Sequence, residues 1–250
     1  VVHHAYQNHI SQWLWTLDAA PIGHDWIMPL DADHRITPEL FTSIRDLNLD
    51  NTDGIHAYYA QHQLFFLGQR IRGFKEFGLR LFNKQFTKID QSEMVDFRFV
   101  VDGKTSVLKG SLLEDNHNEE SIDFLIDKHQ KFSTSIAIEE VLRKHKLIEW
   151  DIKPTLFGNP DQRIVWVKNI WYHSPYLIRP WVYFFYRFFI RFGFLDGKSG
   201  LIYHFIQALW FRLMVDAKII EYQRLLKENP TYLNELHNIY LQRFSYKQEG

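Results

Sequence analysis

Cysteine is absent from the sequence, which excludes a disulfide framework, zinc–cysteine centres and thiol catalysis. A disulfide-free chain fits a reducing compartment but is not confined to one. An excess of either charge is also missing. The 29 basic and 30 acidic residues leave a formal net charge of −1, so no global field draws in nucleic acid. Long apolar runs are lacking too: the uncharged stretch Ser199–Phe211 has thirteen residues. A bilayer-spanning helix requires about twenty, so no ordinary span is expected. The chain carries no internal repeat, low-complexity tract or secretory leader pattern, and its thirteen histidines show no zinc-type spacing.

What remains is 250 residues, enough for one large domain or a domain with an extension. Ile10, Trp13, Leu14 and Leu17 have helical spacing and predict a helix over 8–18, broken by Pro21 and Gly23. Trp26–Leu30 reads as a buried strand ending at Asp31, although Pro29 cannot donate a ladder hydrogen bond. Thr37-Pro38-Glu39 is a helix start: an N-cap hydroxyl, a proline at the first helical position and an acid in the first turn. Strands are expected over Ile55–Leu67 and Leu79–Phe82, and a hairpin over Asp96–Val107 around Asp102-Gly103. A helix from about Glu120 to His145 follows. Pro154, Gly158 and Pro160 mark a linker before an aromatic-rich helical remainder. Alternating strands and helices predict an α/β layer architecture. The chain divides into a catalytic-type domain, 1–148, and a helical C-terminal region, 149–250.

Asp31-Ala32-Asp33 stands between an apolar strand and a capped helix. In open α/β sheets, ligands bind beyond the carboxyl ends of strands. Two carboxylates one residue apart can share Mg²⁺ or Mn²⁺, leaving positions open for phosphate oxygens. Such a cation would neutralise charge growing on a nucleoside diphosphate leaving group. The same triplet also serves as an ordinary turn and cap.

The stretch Trp26-Ile27-Met28-Pro29-Leu30-Asp31-Ala32-Asp33-His34-Arg35-Ile36-Thr37-Pro38-Glu39-Leu40 resembles the metal-binding segment of glycosyltransferase family 2. The resemblance continues in order along the chain. Gln12–Leu17 is similar to the preceding helix of bacterial envelope-polysaccharide members, and Gly78–Phe82 to their Arg-Leu-Phe segment. Asp127–Ser133 is similar to their Lys-His helix, and Gly193–Gly200 with Asp216-Ala217-Lys218 to their C-terminal signature. It implies a GT-A fold, Rossmann-like with a mostly parallel sheet and N-terminally truncated. It also implies inverting transfer of a hexose-type sugar from a nucleotide-diphosphate donor to a lipid-linked or polysaccharide acceptor. The setting would be envelope synthesis at the cytoplasmic face of the plasma membrane, the protein being peripheral. Compared with family members, roughly fifty to sixty residues of the nucleotide-binding half would be absent before Val1, a length estimated from typical αβ units. Val1-Val2 would be the last strand of that half, and this chain alone would bind donor poorly.

On this reading Asp31 and Asp33 hold Mg²⁺ or Mn²⁺ and, with Arg80, face the nucleotide sugar; Arg80 suits the diphosphate because a guanidinium fork matches phosphate oxygens. Glu114 stands where many members have a histidine near the metal and is a third candidate ligand, while Asp115 and Asn116 read as helix caps. The transfer needs a carboxylate to deprotonate the acceptor hydroxyl. The family's acidic pair is absent from Glu93–Arg98, which makes Asp96 the first choice and Glu93 the second. Asp96 reads equally as a surface residue paired with Arg98 or Lys104, Arg80 equally as a surface ion-pair residue, and His129 more readily as a core histidine.

Sixteen of the 41 aromatics fall between Trp171 and Met214, and Val165–Lys227 holds nine basic against three acidic residues. Rings interleaved with arginines suit the membrane interface; a buried helical subdomain is the other reading. Nucleic acid is disfavoured by the neutral total charge and the lack of a recognisable module. Two other functions remain open: a non-catalytic membrane-surface or partner-binding protein on a glycosyltransferase-like scaffold, and a metal-dependent hydrolase of phosphorylated lipids.

Overall fold

The computed structural model describes residues 2–74, 76–116, 118 and 121–244. The elements run α1 (His9–Asp18), β1 (Trp26–Ile27), β2 (His34–Ile36), α2 (Pro38–Arg45), β3 (Ile55–Phe66), β4 (Gln69–Arg70), β5 (Glu76–Asn83), β6 (Thr87–Ile89), β7 (Phe99–Val101), β8 (Lys104–Glu114) and α3 (Ile122–Lys144). Helices α4 (Pro160–His173), α5 (Arg179–Phe185), α6 (Gly197–His204), α7 (Phe211–Glu228) and α8 (Tyr232–Phe244) complete the chain. Helix α5 continues as a wider π turn over Tyr186–Ile190, and α6 joins α7 through another over Phe205–Trp210.

The α/β architecture is as expected, but the sheet is not mostly parallel. Its order is β1-β5-β3-β8-β2, and only β3 and β8 run parallel. The cause is local. Leu67 and Gly68 both have positive φ and turn the chain tightly after β3, so β4 and then β5 return antiparallel. The expected Asp96–Val107 hairpin does not form. Asp102-Gly103 does turn the chain, but β7 pairs with β6 while β8 crosses to β3. Strand β1 stops at Ile27, short of the expected Leu30, where Pro29 cannot extend the ladder. Val2 is irregular and exposed rather than part of a strand, and Val1 lies outside the described residues.

Alternation along β3 sends Tyr59 and Ala57 to one face, against α1 and the β6–β7 pair, and Tyr58 and Ala60 to the other, against α2. Gly110 lets α2 approach. At φ +87° it bulges β8, and a Cβ there would stand 2.3 Å from the Leu40 nitrogen. The Thr37 hydroxyl caps α2 as expected and donates to the Ser111 carbonyl (2.9 Å), which pins the helix start to β8.

A separate core joins α3 to α7 and α8 through Ile138, Val141, Val215, Ile219 and Leu236, so packing crosses residue 148. Asp196 fastens the helical region to the sheet by accepting from the Arg72 and Gly73 backbone N–H groups at 2.7 and 3.3 Å. Among the described residues, no helix is long and apolar enough to cross a membrane.

Candidate metal and ligand cleft

Asp31-Ala32-Asp33 lies in the turn between β1 and β2, and β2 pairs with the end of β8 so that His34 stands opposite Glu114. Asp31 is exposed, Asp33 is half-buried and the His34 side chain is almost wholly covered. Two overlapping groups of donors result. Asp31, Asp33 and His34 each offer a ligand atom within 4.8 Å of the others, and so do His34, His62 and Glu114. Asp31 and Asp33 therefore cluster on one side of His34 and Glu114 with His62 on the other, as two groups that share only that histidine.

The donors fit a divalent cation of the Mg²⁺–Mn²⁺ type. Carboxylate oxygens suit either ion, and the His62 imidazole would add a nitrogen donor that Mn²⁺ accepts more readily than Mg²⁺. His34 Nδ1 accepts from the Asp31 backbone N–H at 3.0 Å, which leaves the Nε2 proton facing the Asp31 carboxylate at 3.6 Å. In that orientation His34 aims Asp31 and does not itself ligate. Burial lowers the His34 pKa, so the ring is neutral at pH 7. His62 Nε2 lies 2.9 Å from Glu114 Oε2. Burial pushes the Glu114 carboxyl up, yet His62 and Lys128 outweigh it and hold it below the usual range.

A cleft of about 370 Å³ is lined by Asp31, Arg80, Asp96 and Glu114 together, with His62 and Asp161. Arg80 comes from β5; Gly78 leaves room for it, since a Cβ there would meet its Nε at 3.0 Å. Its Nε has no hydrogen-bond partner. Burial pulls its pKa below the ordinary value, opposed first by Asp31. No carboxylate among the described residues lies within ion-pair distance of Arg80, so the surface ion-pair reading does not hold.

The Asp96 carboxylate does pair, but with neither expected partner, although Arg98 Nη1 donates to the Asp96 backbone carbonyl at 3.0 Å. Lys168 of α4 donates to that carboxylate at 3.0 Å and to the buried Glu93 at 2.5 Å. Lys168 is the main cause that holds the Asp96 carboxyl below its ordinary value. Arg98 instead pairs with Glu93 and reaches Asp161 at 3.3 Å. Asp115 and Asn116 do not cap α3. Asp115 pairs with Arg35 across the β2–β8 edge, and Ser121 supplies the cap. His129 is the core histidine it was read as: its Nδ1 bonds the Leu125 carbonyl at 2.8 Å, and burial drives its pKa to about 4.

His34, His62, Asp161 and Lys168 were not singled out from the sequence. His62 had a readable signal, as the polar member of the otherwise apolar Tyr58, Ala60, Leu64, Phe66 face of β3. Asp161 reads as a first-turn acid of α4, yet it is buried and accepts from the Tyr59 hydroxyl at 2.6 Å; burial raises its pKa despite Arg98.

No family model matches the chain, and no curated protein resembles it closely enough to count as a relative.

Proposed function

We propose that the chain carries the cation and acceptor side of an inverting GT-A-type glycosyltransferase. It would move a sugar from a nucleotide-diphosphate donor to a lipid-linked or polysaccharide acceptor in envelope glycan synthesis. One observation carries the reading. Asp31, Arg80, Asp96 and Glu114 are spread over more than eighty residues of the chain, yet they line a single cleft. Asp31, Asp33 and Glu114 would hold Mn²⁺ or Mg²⁺, with His62 as a nitrogen donor and His34 orienting Asp31. The cation would offset the charge on the departing nucleoside diphosphate. Arg80 would meet the same diphosphate through its unpartnered Nε. Asp96 would accept the acceptor's hydroxyl proton, with Lys168 keeping it ionised and oriented.

The exposed rings support peripheral membrane docking at the cytoplasmic face. Trp181, Phe185, Phe189, Phe192, Phe194 and Phe205 are all largely open to solvent within a stretch rich in basic residues. The second reading, a non-catalytic protein on this scaffold, is favoured by one feature: Asp96 is held in an ion pair that makes it a weak base.

The test uses the protein with a panel of UDP-, GDP- and dTDP-hexoses. Release of nucleoside diphosphate should require Mn²⁺ or Mg²⁺ and be lost in Asp33→Ala. Full activity in Asp33→Ala would remove the assigned metal role, and no donor turnover with any cation would leave the second reading.

A further inference from the structure

A larger cavity of about 700 Å³ opens beside the cleft and shares His62, Asp96 and Glu114 with it. Its far wall comes from α4, α5 and α7. Tyr183, Tyr186, Arg187 and Arg191 recur at helical spacing and line it, while Trp181, Val182, Phe185 and Phe189 of the same helix face solvent. The helix thus separates a basic chamber from an apolar outer surface.

Arg187 is the unusual member. It is only 4% exposed, yet no carboxylate among the described residues lies within ion-pair distance of it. Its Nη1 donates to the Tyr183 hydroxyl at 3.0 Å and to Gln207 Oε1 at 2.8 Å, and Tyr203 also helps hold its charge, so its neighbours are phenols and an amide rather than carboxylates. The Phe74 ring, 5.0 Å away, braces the guanidinium. The other arginine buried to this degree among the described residues, Arg179, is held by two carboxylates. An unpaired buried charge costs several kcal/mol unless an anion meets it. Arg212 and Arg163 line the same cavity, also without an ion-pair partner among the described residues; Arg212 rests over the Phe211 and Tyr183 rings at 4.9 and 5.8 Å. Burial alone would raise the Tyr183 phenol, but Arg187 and Arg212 outweigh it and lower its pKa, which reports a positive local field.

We propose that this chamber binds the phosphate of the acceptor, a mono- or diphosphate ester, through Arg187 and Arg212, with Arg163 contributing at the cavity wall. The proposal rests on the transfer reading above and specifies its acceptor. The phosphate would lie in the chamber and the reacting hydroxyl would extend toward Asp96. Any lipid tail would follow α5 to the exposed rings.

Calorimetry without donor or divalent cation tests it, with farnesyl phosphate, farnesol and inorganic phosphate as probes. Farnesyl phosphate should bind, and farnesol should bind roughly tenfold to a hundredfold more weakly, the range expected for charge-assisted hydrogen bonds. Arg187→Gln and the partly exposed Arg212→Gln should each weaken farnesyl phosphate by a similar factor. Arg224→Gln on the far part of α7 should not. Inorganic phosphate binding as well as farnesyl phosphate would support the site and indicate a soluble phosphate ester; binding of the lipid phosphate alone would indicate a lipid source. Equal binding of farnesol and farnesyl phosphate, or unchanged phosphate binding in folded Arg212→Gln and Arg187→Lys/Arg212→Gln proteins, would overturn it. Because neither donor nor cation is present, failure here leaves the metal-cleft reading intact. Loss of the Asp33 dependence would likewise leave this one intact.

Discussion

The cleft and the C-terminal helices use the same residue types in opposite ways. In the cleft, Asp31 stands open at a turn with Asp33 half-open beside it, and Arg80 has no carboxylate within ion-pair distance among the described residues. In the helical region, Arg179 is buried and fully engaged. It donates to Asp216 and Glu140, and the Leu177 N–H adds a bond to Asp216 at 2.7 Å, so α3, α5 and α7 meet at one ion cluster. Aromatics show the reverse contrast. Tyr59, Phe66 and Phe82 of the sheet are buried, whereas the rings around α5 lie outside. Underpaired charge marks a place where a ligand can complete the pairing, and paired charge marks a joint. Exposed rings mark a surface with an occupant, and buried rings mark core.

The largest effect should come from the joint. Arg179→Met leaves two buried carboxylates uncompensated and should cost about 3–5 kcal/mol of stability in urea unfolding. A loss under 1 kcal/mol would erase the contrast with the cleft. The matched change beside the cleft, Asp33→Ala, should lower metal-dependent turnover on the order of a hundredfold while leaving stability within about 0.5 kcal/mol, because Asp33 is a half-exposed turn residue. A large drop in melting temperature would make Asp33 structural instead.

A pH series sharpens the same division. His204 is fully buried, both its ring nitrogens lack partners, and burial drives its pKa down to about 3. The folded chain holds it neutral, while the unfolded chain protonates it below about 6.5. Its stability contribution is therefore complete above pH 6.5 and is lost as pH falls toward 3. At pH 5 the loss is about 2 kcal/mol, and His204→Leu should remove that part of the acid sensitivity. An unchanged slope of stability against pH in the variant would discount His204. The smallest effect belongs to the outer rings. Phe189→Ser, at a side chain 49% exposed, should leave folding alone and weaken binding to anionic vesicles about tenfold. Vesicle affinity equal to the parent's would argue that the rings meet another surface.

Local features were legible because their causes are local. The N-cap Thr37 followed by Pro38, the span of α3 and the break at Pro21 follow from propensity and capping, which act within a turn or two. The cleft was legible in part. Asp31, Arg80, Asp96 and Glu114 were readable through a family-like pattern, and they do share a cleft. Their partners were not readable. Lys168 reaches Asp96 from 72 residues away, and His62 meets Glu114 only because β3 and β8 pair in parallel.

The sequence by itself determined α1, α2 and α3, the long strand β3 and the helical character of the C-terminal region, and the absence of thiol chemistry and of long apolar runs. Only the tertiary structure decided the antiparallel character of the sheet, the bulge at Gly110 that seats α2, and the gathering of His34, His62 and Glu114. It also decided that Arg179 has counterions among the described residues and Arg187 has none. The reason is physical. Capping and periodicity are set by neighbours along the chain, whereas charge pairing and burial depend on which distant residues the packed strands and helices bring within a few ångströms.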